Sequence, residues 1–480
     1  MTVKYDYDAI IIGAGIGGLV CGCYLAKAGM KTLIVEKNAK PGGYCTSFKR
    51  NNFVFDSCVH SFGSCASQEA LGQIIKELNV DIQIIRANPS DIVITPEYKL
   101  DIKNDMAETM YQLIKIFPKE NKIKQFFSLI ETKSGISLYY ALKKKTFQNL
   151  LDEYFSDFRL KSIFSILLAN CGVSSSKASA FATVLFLKSF IFNGGYYPVG
   201  GMQRFADSLA DSFLIYGGNI ICRQEVKKIN MAKNTAKDII LKNGESLSAG
   251  LIVSNVDLKY TFLKLIGKKN LKLKFVLQLN KLLPSSSAFI VYLGLQKYEE
   301  KMFKDTIGIW KMPSDYNIEN TLDLPLRNKI SKDNFLFCSI SPNLGKAINQ
   351  DGNQTIRLIV NAPFKDKEYW DKNRDIYSED LINRVNSLFP GLKSHILFKE
   401  NSTPQTLYSY TNNYKGAMCG WLNTVSQNEN DLLRKCGIKN LYFVGHWVPE
   451  KYGQGGIAMV AYSGKKMANK ILFDLGKSKK

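Results

Sequence analysis

Apolar positions along this chain fall into two rhythms, and the rhythms alternate. Ala9–Ile12 is an unbroken apolar run, the pattern of a parallel strand buried on both faces. Leu19, Tyr24 and Leu25 then return at helical spacing, and Gly29 ends that helix. "KTLIVEK" is a second buried strand closing on Glu36, so the opening reads as a complete β-α-β unit. From about residue 65 to 195 the pattern is mostly helical, as in "SQEALGQIIKELNV" and "KQFFSLIETKSGISLYYALKKKTFQNLLDEYF". "GGYYPVGGMQRFADSLADSFLIYGGNIICRQEVKKI" returns to helix and strand, with Gly200-Gly201 opening the helix and Gly217-Gly218 ending it. A hairpin turning at "KNGE" and a buried strand, "GLIVSNVD", follow. From about 265 to 430, strands such as "SSAFIVYLGL", "NFLFCSIS" and "QTIRLIVNAP" alternate with helical "SEDLINRVNSLF". Near the end, "NLYFVGHWVPEKYGQGGIAMVAYSG" joins a strand, one of only three histidines and a glycine-rich turn.

The turn after the first strand carries the clearest chemistry. Gly13-x-Gly15-x-x-Gly18 follows the strand at once and opens the helix. Gly13 allows the tight turn, Gly15 lets backbone approach a pyrophosphate, and Gly18 lets helix pack on strand. The helix N-terminus offers free N–H groups and a positive dipole end to phosphate. Glu36 lies where a carboxylate can bind both hydroxyls of an adenosine ribose. A second pair, Gly42-Gly43, follows the second strand in "KNAKPGGYCTSF", which begins at Lys37. In flavoproteins resembling glutathione reductase and amine oxidase, such a pair lies along FAD, a pattern that a simple nicotinamide dehydrogenase does not need. No second complete Gly-x-Gly-x-x-Gly unit appears, so a separate NAD(P)H domain is not expected.

Composition narrows the picture. The 480 residues suit two or three domains, and 45% hydrophobic with 22% charged residues is ordinary for a globular chain. No uncharged apolar stretch reaches the ~18 residues of a membrane span. The nearest, "ASAFATVLFLKSFIF", carries Lys188 and reads as a buried helix. A strand within the first ten residues leaves no room for a signal peptide. The ten cysteines include no Cys-x-x-Cys pair, so they read as buried thiols in a reducing cytoplasm, with no metal site expected. The net charge of +22 points to a polyanion. Lysine is dense from Lys227 to Lys281, with 12 Lys against 3 acidic residues, and "LKKKTF" lies beside aromatics. Lysine mixed with Leu, Phe and Tyr suits an anionic membrane surface better than a base-reading groove, so no nucleic acid partner is expected. A compositional bias toward Lys and Asn would give the same totals.

Four segments in order resemble the FAD-dependent phytoene desaturase, carotenoid isomerase and retinol saturase family. They are "DAIIIGAGIGGLVCGCYLAKAGMKTLIVEKNAKPGGYCTSF", "YYPVGGMQRFADSLADSFLIYGGNI", "GLIVSNVD" and "NLYFVGHWVPEKYGQGGIAMVAYSGKKMANKIL". The first is shared by many flavoproteins; the second and fourth make the match specific. The resemblance implies an α/β fold, with a Rossmann-like FAD-binding domain of glutathione reductase or amine oxidase type, a mixed-sheet substrate domain and a helical insert. It places the FAD-binding domain at 1–65, 195–260 and 435–480, the insert or lid at 66–194, and the substrate domain at 265–434. It implies noncovalent FAD held by Gly13, Gly15, Gly18, Glu36, Lys37, Gly42 and Gly43, with Gly445, His446, Gly455, Gly456 and Ile457 at the flavin end and Gly453 in the same turn. It further implies a long apolar substrate drawn from lipid and a cytoplasmic, peripherally membrane-associated protein. Many members carry an acid where this chain has His446, which reads here as a structural or cofactor contact rather than an acid–base group. His60, in "FDSCVHSFG", reads as a satisfied polar side chain with a place near the flavin as the alternative. His446 and His60 are the only catalytic candidates, since no paired carboxylates or nucleophile–base set stands out.

The function expected is FAD-dependent oxidoreduction at carbon–carbon double bonds of an isoprenoid-like substrate: desaturation, saturation or cis–trans isomerisation. The alternatives are an amine-oxidase-like flavoenzyme on a small polar substrate and a basic membrane-binding flavoprotein without catalysis.

Overall fold

Strands that are apolar on both faces need cover on both sides, and the chain supplies it from both ends. The computed structural model describes residues 5–132, 135–300, 302–329, 334–340, 353–428, 432–448 and 456–477. The first strand, β1 (Tyr7–Ile12), runs into helix α1 (Ile16–Lys27) and on to β2 (Thr32–Val35). β1 pairs in parallel with β2 on one side and with Ser246–Ser254 on the other. Asn219–Ile221 extends this sheet beyond β2, and Leu441–Phe443 extends it beyond Ser246–Ser254. α1 is apolar almost all round, with only Tyr24 and Lys27 outside the buried class, because the last helix, Ile457–Asp474, and the helix Met202–Ile215 both pack on it. The approach is close: a Cβ on Gly464 would stand 2.5 Å from the Gly17 carbonyl oxygen.

The expected single strand "NIICRQEVKKI" is two. Asn219–Ile221 stays with the parallel sheet, Arg223 turns the chain at φ 59°, and Val226–Ala232 starts an antiparallel meander through Thr235–Leu241 into Ser246–Ser254. The predicted hairpin turn falls between the last two.

A second, mixed sheet has seven strands in the order Ile396–Ser402, Ser287–Leu295, Gln354–Ala362, Leu336–Ile340, Gly308–Lys311, Asp91–Ile94 and Lys99–Ile102. All neighbours are antiparallel except Gly308–Lys311 with Asp91–Ile94. The long helix Lys367–Leu388 covers one face of it through Trp370, Leu381, Ile382 and Val385. The stretch expected to be mostly helical therefore holds three short strands. Ile84–Arg86 pairs with Tyr196–Pro198, and the other two join the second sheet. Runs of three or four residues are too short to display an alternation. Helices from Met106 to Phe186 gather around a Phe-rich core that includes Phe126, Phe147, Phe155 and Phe164. No helix among the described residues is long and apolar enough to cross a membrane.

Candidate functional site

One cavity runs from the glycine turns of the first sheet into the space between the helical layer and the second sheet. Its two ends are built differently.

At the first end, β1 stops at Ile12 and Gly13 turns the chain at φ 95°. A Cβ on Gly18 would stand 2.3 Å from the Gly13 carbonyl oxygen, so only glycine lets the helix close on the strand here. α1 starts after Gly15 with no side-chain cap, which leaves its first N–H groups for a ligand. Asn255, just past Ser246–Ser254, pins the turn. Its Nδ2 donates to the carbonyls of Gly13 (3.0 Å) and Gly15 (3.3 Å). Glu36 is 5% exposed and lines the cavity. One carboxylate oxygen accepts from the Ala14 amide (2.9 Å), the other from the backbone and side-chain amides of Asn38 (both 2.8 Å). These bonds aim the carboxylate and leave a free lone pair on the oxygen that accepts from Ala14.

The second glycine pair touches the first. Gly42 donates to the Ala14 carbonyl (2.8 Å), and a Cβ on Gly43 would lie 3.4 Å from Gly15 Cα. Lys37 also lines the cavity, but its ammonium donates to the Ser409 carbonyl (2.8 Å) and Asn412 Oδ1 (3.0 Å), and burial lowers its pKa. Its charge is tied to the helix Pro404–Thr411 and the residue beyond it, so Lys37 fastens the two sheets' regions together.

The chain returns here from its far end. After Leu441–Phe443, Gly445 turns at φ 92°, where a Cβ would meet Asn255 Oδ1 at 2.5 Å. His446 lines the cavity, with its ring centroid 6.0 Å from Tyr44 and 5.5 Å from Trp447. Burial pushes its pKa down to about 4, so the imidazole is neutral. Gly456 opens the helix Ile457–Asp474, and both Gly456 and Ile457 line the cavity. Gly453 and Gly455 lie outside the described residues. Gly13, Gly15, Gly42, Gly43, Gly445, Gly456 and Glu36 thus line one space, with Gly18 packed behind it against the Gly13 carbonyl; Asn255, which lies just past the strand and which no motif marks, lines it too.

The other end is a chamber walled by large side chains. Trp310 stacks on Phe337 with centroids 4.0 Å apart, and Phe186 stacks on Phe190 at 5.3 Å. His60 stands between the two pairs, 4.7 Å from Phe337 and 5.8 Å from Phe190. Burial first, and the Arg357 charge second, push His60 down to about 3. Arg357 is 1% exposed; it donates to the carbonyls of Asp56 (3.1 Å) and Val59 (2.9 Å) and to Ser339 Oγ (2.7 Å), which holds the segment leading to His60. Asp91 accepts from Trp310 Nε1 (2.9 Å), fixing the indole, and burial raises its carboxyl to about 6. Phe190 belongs to a π-helical turn, Leu187–Phe192, against which Gly63 packs with no room for a Cβ. Trp310, Phe337, Phe190 and Arg357 come from segments far apart in sequence, and no local pattern marks them.

The only carboxylates lining the cavity, among the described residues, are Glu36 and Glu225, both at the glycine end. His60 in the chamber and His446 at the glycine end are both neutral. The chamber's own residues therefore supply shape, exclusion of water and fixed hydrogen bonds rather than a charged general acid.

A family model described as an NAD(P)-binding Rossmann-like domain matches residues 11–78. The chain is 27% identical to the chloroplastic prolycopene isomerase of Daucus carota, over 99% of this chain and 81% of that protein. It is 25% identical to the all-trans-retinol 13,14-reductase of Danio rerio, over 92% and 83% of the two chains. It is 23% identical to the lycopene-forming phytoene desaturase of Pseudescherichia vulneris, over 97% and 99%. Among solved structures, cyclohexylamine oxidase from Brevibacterium oxydans IH-35A superposes with a TM-score of 0.63 at 14% identity, over 98% and 100% of the chains. That likeness is one of fold.

Proposed function

We propose that this chain, a member of the carotenoid-type oxidoreductase family, binds FAD and acts on carbon–carbon double bonds of a long apolar isoprenoid. The observation that carries this reading is the continuity of the cavity, with a glycine cradle at one end and an aromatic chamber at the other. The cradle fits a dinucleotide. Side-chain bulk is absent at Gly13, Gly15, Gly43 and Gly445, the N-terminus of α1 is uncapped, and the Glu36 carboxylate keeps one free lone pair. The reach of the cavity past Gly42-Gly43 to Gly445, Gly456 and Ile457 favours FAD over a nicotinamide nucleotide held by the first turn alone.

Gly13, Gly15 and the start of α1 would hold the pyrophosphate, Glu36 the ribose, and the Gly445–His446 segment with Gly456 and Ile457 the flavin end. FAD would supply acceptance or donation of a hydride or electrons at the double bond. The chain's own part is to bind and orient. Trp310 and Phe337, facing Phe186 and Phe190, present flat walls to a flat conjugated chain and keep water away. His60 and His446 offer neutral hydrogen-bonding groups and are not charged acids near pH 7. In this reading 1–65, 195–260 and 435–480 form the FAD-binding domain, 66–194 the lid and 265–434 the substrate domain. The protein acts in the cytoplasm at a membrane surface, where such a substrate resides.

The test is direct. Protein loaded with FAD, oxidised and separately reduced, is incubated with phytoene, lycopene isomers and retinol in liposomes, and products are separated by chromatography. A new or isomerised polyene is expected. Flavin absorbance on the purified protein with every substrate unchanged would overturn the substrate reading and leave FAD standing; a protein that stays colourless after FAD is added would overturn both.

A further inference from the structure

Between Leu258 and Tyr298 the chain has eight lysines and no acidic residue. The helix Leu273–Lys281 lies in the middle of this stretch. Its inner face buries Phe275 and Leu279 against Phe262 and its neighbours in the core, and Val276 is buried on the same helix. Its outer face carries Leu273 and Leu277, 73% and 54% exposed, one helical turn apart, and Leu283 just beyond is 57% exposed. Lys264, Lys268, Lys269, Lys272, Lys274 and Lys281 precede or interleave with them along the chain, all exposed, and none forms an ion pair with a described residue. Solvent alone explains neither half of this arrangement. Exposed leucines are costly in water, and six unneutralised like charges repel one another.

We propose that the helix Leu273–Lys281, with Leu283 and the lysines around it, is a docking surface for an anionic lipid bilayer. The leucines would enter the boundary between headgroups and acyl chains, while the lysines, on stems long enough to reach upward, would meet the anionic headgroups. Charge decides between occupants. A second copy of this +22 chain would set lysines against lysines. Nucleic acid would satisfy the lysines and leave the leucines in water. An anionic bilayer satisfies both.

The surface also sits beside the cavity. Leu283 and Ser285 exchange backbone hydrogen bonds with Leu422 and Gly420 (both 2.8 Å), and Met418, Cys419 and Asn423, which flank those two, line the cavity. Docking here would set the chamber wall next to lipid. That delivery role rests on the apolar-substrate reading above; the docking does not.

Co-sedimentation with vesicles, without FAD or polyene, tests the docking alone. The protein should pellet with phosphatidylcholine vesicles containing phosphatidylserine, remain in solution with phosphatidylcholine alone, and be released by salt. The triple variant Leu273→Gln, Leu277→Gln, Leu283→Gln should keep the parent melting temperature and bind vesicles at least about tenfold more weakly. Replacing Lys268, Lys269, Lys272 and Lys274 by Gln should weaken binding by roughly fivefold per lysine and remove the preference for phosphatidylserine. Unchanged vesicle binding in either variant would overturn the proposal. So would tight binding of single-stranded RNA that the leucine variant keeps and the lysine variant loses, without vesicle binding by the parent.

Discussion

The two ends of the cavity solve the same problem, enclosing a ligand, with opposite materials. The glycine end is made of backbone: carbonyls, amides and a helix N-terminus brought close because side chains are missing. The chamber is made of side chains: two stacked aromatic pairs and a neutral imidazole fixed from behind by Arg357 and Asp91. A backbone site fails when anything is added, and a side-chain site fails when something is removed. That contrast can be broken by substitution.

The largest effect belongs to the glycine end. Gly18→Ala puts a methyl 2.3 Å from a main-chain oxygen that has no freedom to move away. The variant is expected to melt far below the parent and to retain no flavin after incubation with FAD, read from the ratio of visible to ultraviolet absorbance. Gly29→Ala is the control in the same β-α-β unit, away from the cavity. Its methyl meets nothing within 4 Å, and only the positive φ of 82° costs, about 1–2 kcal/mol. Equal loss of flavin in both variants would show that bulk at Gly18 is not what matters.

The chamber should respond the other way. Trp310→Ala removes a 1% exposed indole and leaves a void, at a cost of about 3–5 kcal/mol. Flavin retention should survive in the cold while polyene conversion falls steeply. A Trp310→Ala protein that folds but loses flavin as completely as Gly18→Ala would abolish the distinction between the two ends.

The same contrast explains what could be read from sequence. Gly13, Gly15, Gly18 and Glu36 act within one β-α-β unit, so their spacing along the chain is their spacing in space. Lys37 sits in the same motif, yet its ammonium is spent on Ser409 and Asn412, partners more than 370 residues away that no motif reveals. The chamber has no spacing to read. Trp310 meets Phe337 across two paired strands, and His60 meets Phe190 through the fold alone. Apolar residues there look like any core, because for most of their surface they are core. The strands Asp91–Ile94 and Lys99–Ile102 were hidden for a different reason: they are short, and the sheet they join is assembled mainly from residues 200 positions later.

Acid provides a third, smaller effect that separates the ends without emptying either. His60 and His446 have pKa values depressed to about 3 and about 4, against about 6.5 in an unfolded chain. The unfolded state takes up protons first, so this contribution to stability is full above pH 6.5 and is lost as pH falls toward 4 and 3. For His60 the whole effect is at most about 5 kcal/mol, of which about 3 kcal/mol falls between pH 7 and pH 4. Melting curves from pH 7 to pH 4 should show the parent losing more stability than His60→Gln. Parallel curves would mean that the chamber does not keep His60 neutral.

Asp91 gives the smallest effect and the opposite sign. Burial holds its carboxyl up to about 6, against 3.8 in the unfolded chain, while the indole of Trp310 donates to it. Here the folded state keeps the proton longer. The contribution is full below pH 3.8, fades as pH rises through 6, and amounts to at most about 3 kcal/mol. Asparagine keeps an oxygen for the Trp310 N–H and has no charge to bury. Asp91→Asn should therefore match the parent near pH 4 and melt higher at pH 7, with Trp310 fluorescence unchanged because the indole is still held. If the variant instead melts lower at both pH values, the carboxyl serves the chamber as a charged partner of Trp310, and the chamber wall depends on an ionised group after all.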